Sequence, residues 1–138
     1  MLDQCGVIPI LTAIGILFAV FKNLERKKRK LLESVYNPLL KATYILQDGF
    51  EKDKANTRQH FENFNSACLD VTHKYKHLIY QDTNLYFHQL YKAKKILDGT
   101  DTEENLGNLG GSISALHGHL EIKIKEIKKK PLLRFFII

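Results

Sequence analysis

Three side chains of the metal-ligating type follow one another at helical spacing near the middle of the chain. Asp70, His73 and His77 lie at i, i+3 and i+7, so a helix would place two imidazoles and a carboxylate on one face, a donor set that suits zinc. That face lies opposite the apolar residues of the same stretch, and Lys74 and Lys76 beside it would repel a cation. No HExxH and no paired CxxC accompanies it. The pattern favours a solvated polar face, and we expect no metal and no cofactor.

The other reactive side chains form no catalytic motif in the sequence. His117 and His119 flank Gly118, a spacing at which two helical side chains do not point the same way. Cys68 lies on an apolar stripe, where a thiol is most simply a small core residue. There is no Walker loop, no GxSxG and no glycine fingerprint of a nucleotide-binding fold. We therefore expect that the protein is not an enzyme.

Lysines and aromatic residues interleave in two segments, HKYKHLIYQ and FHQLYKAKK. Basic grooves with stacking aromatic rings are typical of proteins that bind single-stranded nucleic acid. Most of these rings fall on the apolar stripe, however, where packing accounts for them. A helical protein that binds nucleic acid is thus a remaining alternative, and nucleic acid is the least favoured partner.

The elements that would position any site begin with an uncharged apolar run, CGVIPILTAIGILFAVF, over residues 5–21. Its length approaches the roughly 20 residues that span a bilayer. A signal peptide places its basic residues before the apolar core, whereas here they follow it. Thr12 alone offers no polar stripe of the kind that a core helix keeps. We predict a transmembrane helix over 5–22 with residues 1–4 outside, and an interfacial or a buried core helix as alternatives.

Basic residues are concentrated in two segments, 22–30 and 123–134, each with six basic side chains and one acidic one. The positive-inside rule then puts the N-terminus outside and the rest of the chain in the cytoplasm, at an inner or plasma membrane crossed once. Both segments border apolar stretches, so anionic lipid headgroups would attract them. The headgroup contacts that we predict are Lys22, Arg26, Lys27, Lys28, Arg29, Lys30, Lys128, Lys129 and Lys130.

After the basic juxtamembrane segment 23–30, the sequence predicts an all-α domain over 31–130, an antiparallel bundle with coiled-coil-like packing. One apolar stripe alternates spacings of three and four and predicts a helix-packing face. Its members are Phe61, Phe64, Cys68, Val71, Tyr75 and Leu78. The stripe shifts phase around 82–84, which fits either one long helix with a stutter or two helices.

The helices that we predict cover about 24–48, 52–81, 84–98 and 112–130. Asn37-Pro38 should kink or end the first helix, because proline disfavours helical geometry in the residue before it. The glycines at 107, 110 and 111 should delay the last helix to about Ser112. Alternating directions would return the chain to the membrane, where an apolar tail, 131–138, would lie in the interface.

The predicted interfacial residues of that tail are Leu132, Leu133, Phe135, Phe136, Ile137 and Ile138. Packing of the tail into a groove of the bundle, or onto a partner, is the alternative. The whole pattern favours a membrane-anchored, non-catalytic protein, with an interaction, scaffold or accessory role. It would present a helical domain at the inner leaflet to an unknown protein partner. The runner-up is a small toxin-like effector that perturbs the membrane with its anchor and tail.

A homo-oligomer is compatible with the anchor. Gly15 and Ala19 form a small-xxx-small pair that allows two transmembrane helices to approach closely. Cys5 would lie at the outer face, where it can link two N-termini, whereas the expected topology separates it from Cys68 and excludes a disulfide within one chain.

Overall fold

The computed structural model describes residues 2–99 and 102–137, with side chains over 7–99 and 102–135. Every regular element in these ranges is helical, and no strand occurs among them. The all-α class that the periodicity predicts is therefore confirmed.

The first helical rod is longer than the sequence suggests. Helix α1 (Leu2–Lys30), a π-helical turn (Leu31–Tyr36) and α2 (Asn37–Lys52) follow one another without interruption. The Asn37 N–H donates to the carbonyl of Leu32, five residues back. This wider turn makes room for Pro38, which lacks an N–H and would crowd the carbonyl of a regular turn. The expected end of the helix at Asn37-Pro38 is wrong, because the π-helical turn accommodates the proline and the helix continues; the alternative of a kink there stays a prediction.

Three more α-helices follow within the described residues. They are α3 (Thr57–Lys74), α4 (Gln81–Gly99) and α5 (Glu103–Lys129), with 3₁₀ turns at Lys54–Asn56, Lys76–Leu78 and Leu132–Ile137. The break between α3 and α4 falls at 75–80, so the two-helix alternative is correct and the segment 52–81 is not one helix. Asp82 and Thr83 instead belong to the first turn of α4.

Helix α5 begins about nine residues before the predicted start. The Thr102 hydroxyl caps it by accepting the Asn105 N–H at 3.2 Å, and Glu103 and Glu104 complement the dipole of its first turn. Gly110 packs closely on α2, since a Cβ there would lie 3.0 Å from the ring of Phe50. The cap and these contacts offset the low helix propensity of the glycines.

One apolar core joins all the helices. Helix α2 contacts both α3 and α5, and α5 also packs on α4. In the contacts between the first rod and α5, residue numbers decrease along α5 as they increase along the rod. Lys28 lies beside Lys128, and Phe50 lies beside Gly110. Among the fully buried side chains are Leu31, Val35, Leu39, Leu46, Phe61, Leu90, Leu109, Ile113, Leu116, Leu120 and Ile127.

The first rod projects far beyond this core. From Val7 to Phe21 its side chains are exposed apart from Val20, which is half-buried; Ile8 is 65% exposed and Phe18 62%. We call residues 7–21 the exposed apolar segment. Within the described residues, one helix is long and apolar enough to cross a membrane, and it contains this segment.

Candidate functional site at the basic end of the bundle

The two basic segments meet at the end of the bundle from which the exposed apolar segment leaves. The Lys28 ammonium donates hydrogen bonds to the carbonyls of Lys128, at 2.8 Å, and Lys130, at 3.3 Å. These carbonyls end α5, where helices leave acceptors unsatisfied and favour positive charge. We call this region, residues 22–30, 74–83 and 119–135, the basic end.

The residues predicted to touch headgroups lie together at this end. Lys22 lies over the ring of Phe18, 4.9 Å from its centre. Lys130 donates to the hydroxyl of Tyr80 at 3.1 Å, and Lys30 lies 5.4 Å from the ring centre of Tyr75. The remaining six are Arg26, Lys27, Lys28, Arg29, Lys128 and Lys129. The fold thus gathers two segments about 100 residues apart into one surface, while their contact with lipid stays a prediction.

The C-terminal tail is only partly available to a membrane. The Phe135 side chain is fully buried, and Leu132 is half-buried against the core. The Phe135 side chain therefore faces the core instead of the interface, because the 3₁₀ turn packs on α1, while half-burial leaves the interfacial position of Leu132 a prediction. Leu133 is 66% exposed and keeps that prediction. The side chains of Phe136 and Ile137, and all of Ile138, lie outside the described residues.

The predicted helix-packing face follows α3 and then leaves it. Four of the six side chains are buried: Phe61, Phe64, Cys68 and Val71. Tyr75 and Leu78 are half-buried and lie in the turn after α3, since that helix ends at Lys74. Burial raises the pKa of Cys68 to about 12, so the thiol is inert at neutral pH.

The Asp70, His73 and His77 pattern does not form a cluster. Asp70 and His73 are exposed on α3, whereas His77 lies in the following 3₁₀ turn. The end of the helix at Lys74 removes the spacing that would have aligned them. No group of three metal-ligating side chains occurs in the part of the chain that the structure describes.

A buried chain of hydrogen bonds, which no sequence pattern indicates, lies directly below the basic end. The Tyr80 N–H donates to the Tyr36 hydroxyl at 3.2 Å. Tyr36 and Thr83, both fully buried, join their hydroxyls at 2.9 Å, and the Thr83 oxygen lies 2.8 Å from Nε2 of His119. A single arrangement satisfies every group: Tyr36 donates to Thr83, and Thr83 donates to a neutral His119. We call this the Tyr36–Thr83–His119 chain.

Burial shifts the pKa values of His119 and Tyr36 so that the neutral form of each group is favoured. It lowers the pKa of His119, and the charge of Lys123 adds to the effect, while Asp82 and Glu126 oppose it. Burial likewise raises the pKa of the Tyr36 hydroxyl. Both groups are therefore neutral at pH 7, as the hydrogen-bond arrangement requires.

An ion pair between Lys123 and Asp82 lies next to the Tyr36–Thr83–His119 chain, on its more exposed side. Lys123 Nζ lies 2.7 Å from Asp82 Oδ2 and 4.4 Å from the ring centre of Tyr80. Burial raises the pKa of Asp82, but the hydrogen bond and charge of Lys123 outweigh it and hold that pKa below its usual value. For Lys123 burial lowers the pKa, and the bond to Asp82 in turn more than compensates.

A second histidine makes a contact that resembles a catalytic triad. His117 Nδ1 lies 3.0 Å from the Thr43 hydroxyl, and its Nε2 lies 2.7 Å from Glu121. Thr43 is fully buried, however, and donates its proton to the Leu40 carbonyl at 2.7 Å, so it faces no substrate. The contact holds α5 to α2, whereas His119 holds α5 to α4.

Comparison of the chain with protein-family models, curated proteins and solved structures finds no match. The chemistry of the site must therefore be judged from its geometry. The basic end presents cations around the base of an apolar helix, and its buried polar groups bond to one another.

Proposed function

We propose that this chain is a single-span membrane protein that holds an antiparallel helical bundle against the cytoplasmic leaflet and serves there as a non-catalytic interaction, scaffold or accessory domain. The observation that carries this proposal is the exposed apolar segment, which continues into the first helix of the bundle without a break.

The energetics of that segment support a membrane location. Nine large apolar side chains between Val7 and Phe21 are exposed. At about 1 kcal/mol for each partly exposed side chain, moving them from water into lipid would gain on the order of 10 kcal/mol. Leaving such a surface in water would invite aggregation. Residues 5–22 would reach about 27 Å as a helix, close to the roughly 30 Å of hydrocarbon.

The orientation rests on the charges that follow the span. Lys and Arg close to one end of a transmembrane helix keep that end in the cytoplasm. The basic end adds the second basic segment at the same level, through the Lys28 bonds to the carbonyls of Lys128 and Lys130. Anionic headgroups would then attract both segments, at about 1 kcal/mol for each basic residue near the surface.

A non-catalytic role fits the positions of the reactive side chains, which take part in helix packing. Thr43, His117 and His119 form contacts between helices, and Cys68 is buried in the core. A rigid rod that is anchored at one end would instead present the outer faces of the bundle to a partner at a fixed distance from the membrane.

The two cysteines provide a test of this topology. A Cys68→Ser variant retains only Cys5, which should react with a membrane-impermeant maleimide in intact cells after mild reduction. The matched Cys5→Ser variant retains only Cys68, which should stay unlabelled before and after permeabilisation. Release of the chain by alkaline carbonate, or labelling of Cys5 only after permeabilisation, would contradict the anchor or its orientation respectively.

The packing of the tail argues against the toxin-like alternative, since the Phe135 side chain is buried in the core. Expression of the full chain should leave the membrane potential of the host intact. Depolarisation that a Leu133→Gln variant abolishes would favour the effector instead. Leu133 is the suitable position because it is exposed, whereas removing 132–138 would also take Phe135 from the core.

A further inference from the structure

The outer face of α5, opposite its buried residues, carries small side chains where a solvated helix usually carries charged ones. Gly107, Gly111, Ala115 and Gly118 follow one another along it at spacings of four, four and three. No atom of the described residues lies within 4 Å of a Cβ built at any of these three glycines, although glycine weakens a helix. Packing within one copy of the chain therefore gives no reason for them.

A crevice of about 500 Å³ runs beside these residues, between α4 and α5. Ile96 lines it from α4, and Gly111 and Ala115 line it from α5. Ile96 is exposed to solvent, and so are two further large apolar side chains, Leu85 on α4 and Ile122 on α5. This surface, which we call the α4–α5 face, comprises residues 85–96 and 103–129.

The charges of the α4–α5 face differ in sign at its two ends. Glu103 and Glu104 begin α5, whereas residues 125–129 near its end hold three lysines and one glutamate. Two such faces packed in parallel would bring like charges together. Packed antiparallel, they would put Glu104 of each copy near Lys125 and Lys129 of the other. Exposed charges add little affinity, but they favour one orientation over the other.

We propose that the α4–α5 face binds the same face of a second copy of this chain, with the two α5 helices antiparallel. The two-fold axis would pass near Ala115. Ile122 of each copy would then enter the crevice of the other, beside the glycines that line it. Glycine lets two backbones approach closely, so the small residues of α5 would have their use in this contact.

The register of α4 on α5 fits the same axis. Thr83 bonds to His119, and Asp82 pairs with Lys123, so the level of Ala115 on α5 corresponds to about residue 90 on α4. Leu85 and Ile96 lie at similar distances on either side of that level. An antiparallel pair would therefore bring Leu85 of one copy near Ile96 of the other and cover both exposed side chains.

The antiparallel arrangement places the anchors at opposite ends of the dimer, a consequence that rests on the proposed membrane location. Six residues lead from the end of the predicted span at Lys22 to Lys28, which lies beside Lys128, and thirteen more lead to the level of Ala115. At 1.5 Å per residue this is about 29 Å, so the hydrocarbon cores of the two membranes would lie about 57 Å apart. The dimer would be a tether between two facing membranes.

Cross-linking of the full chain in non-ionic micelles tests the arrangement, in a background of Cys5→Ser with Cys68→Ser. Ala115→Cys should give a dimer with a short bis-maleimide, because this residue lies near the axis. Glu104→Cys and Lys125→Cys should link to each other when mixed but not to themselves, since like positions would be about 30 Å apart. Linkage of Lys125→Cys to itself, or none at Ala115→Cys, would overturn the proposal.

A leucine on the α4–α5 face tests whether it is the interface. The Cβ of Gly111→Leu meets nothing within 4 Å in one copy, so the fold should hold. Between two copies the side chain would separate the α5 helices, and sedimentation should show a dissociation constant raised at least about tenfold. The control, Ser66→Leu, adds the same side chain to an exposed position of α3 and should change it by less than about threefold. Equal effects of the two variants would overturn the interface.

Phosphatidylcholine vesicles that carry the full chain test the tether. A face about 33 Å long is a small interface, so each pair is weak and clustering depends on many copies. Light scattering should show clusters that Gly111→Leu abolishes and Ser66→Leu preserves. Vesicles that carry the chain but stay dispersed, or clusters that recruit protein-free vesicles, would overturn the tether. Failure of the chain to float with vesicles would instead contradict the membrane location while leaving the micelle cross-links intact, so the two failures are distinguishable.

Discussion

Replacing Thr83 by valine should test whether the Tyr36–Thr83–His119 chain stabilises the fold. The hydroxyl becomes a methyl group of similar size, so the change opens no cavity. It removes bonds of 2.9 Å to Tyr36 and 2.8 Å to His119. The fully buried Tyr36 O–H is then left without an acceptor, which costs about 1–3 kcal/mol. His119 is half-exposed and finds water more easily, so we expect a total loss of about 2–3 kcal/mol.

A double-mutant cycle with Tyr36→Phe separates coupling from two independent losses. Alone, Tyr36→Phe leaves the Tyr80 N–H and the Thr83 hydroxyl short of a partner, and it should cost about 2 kcal/mol. Together the two changes replace a polar pair by an apolar one. The double variant should therefore lose about 1–2 kcal/mol less than the sum of the single variants.

The assay is equilibrium urea unfolding of the full chain in non-ionic micelles at pH 7.5, followed by circular dichroism at 222 nm. Thr72→Val is the matched control, since the Thr72 hydroxyl bonds only to carbonyls of its own helix, Cys68 at 2.9 Å and Leu69 at 3.2 Å. It should cost less than about 0.5 kcal/mol. A loss for Thr83→Val no larger than for this control, or additivity of the cycle within about 0.3 kcal/mol, would refute the coupling.

Three further expectations address other parts of the molecule. Burial holds the pKa of His119 below 6.5, so the unfolded state binds a proton at this residue more readily than the folded state. The free energy of unfolding should therefore fall as the pH drops from 7 through 6.5. In urea titrations at several pH values, His119→Gln should flatten this step. Gly49→Ala should destabilise the fold by about 1–2 kcal/mol, since its Cβ would lie 2.7 Å from the ring of His60. A Cβ at Gly107 would meet nothing within 4 Å, so Gly107→Ala should raise stability by up to about 1 kcal/mol. The reverse order of the two variants in thermal melts would contradict the packing. In a Cys5→Ser background Cys68, with a pKa near 12, should react with a thiol reagent at pH 8 only at the rate of local unfolding, and a rate like that of free cysteine would show that the core is open.

Local rules in the sequence predict the elements well where tertiary contacts agree with them. The spacing of apolar residues over α3 predicts its buried face from Phe61 to Val71 because helical periodicity is a property of the chain itself. The same rules fail at Pro38, where a π-helical turn relieves the clash, and at α5, where the Thr102 cap and the contact between Gly110 and Phe50 offset weak propensity. Propensities of about 1 kcal/mol per residue are easily outweighed by packing.

The candidate site was less predictable than the helices. Its cations can be read from the sequence as two basic segments, but their meeting depends on Lys28 reaching the end of α5 across 100 residues. The Tyr36–Thr83–His119 chain has no motif, because its members come from three different helices and a bond between hydroxyls leaves no trace in linear spacing.

By itself the sequence determined that the chain is helical, that one uncharged apolar run precedes a basic cluster, and that a second basic cluster precedes an apolar tail. These are local facts of composition and period, and each acts on its own stretch of backbone. Only the tertiary structure decided that the two clusters share one end of the bundle and that Phe135 lies in the core rather than in solvent. The physical reason is that burial and pairing depend on which helices adjoin, and the turns at 53–56 and 75–80 help to set that arrangement.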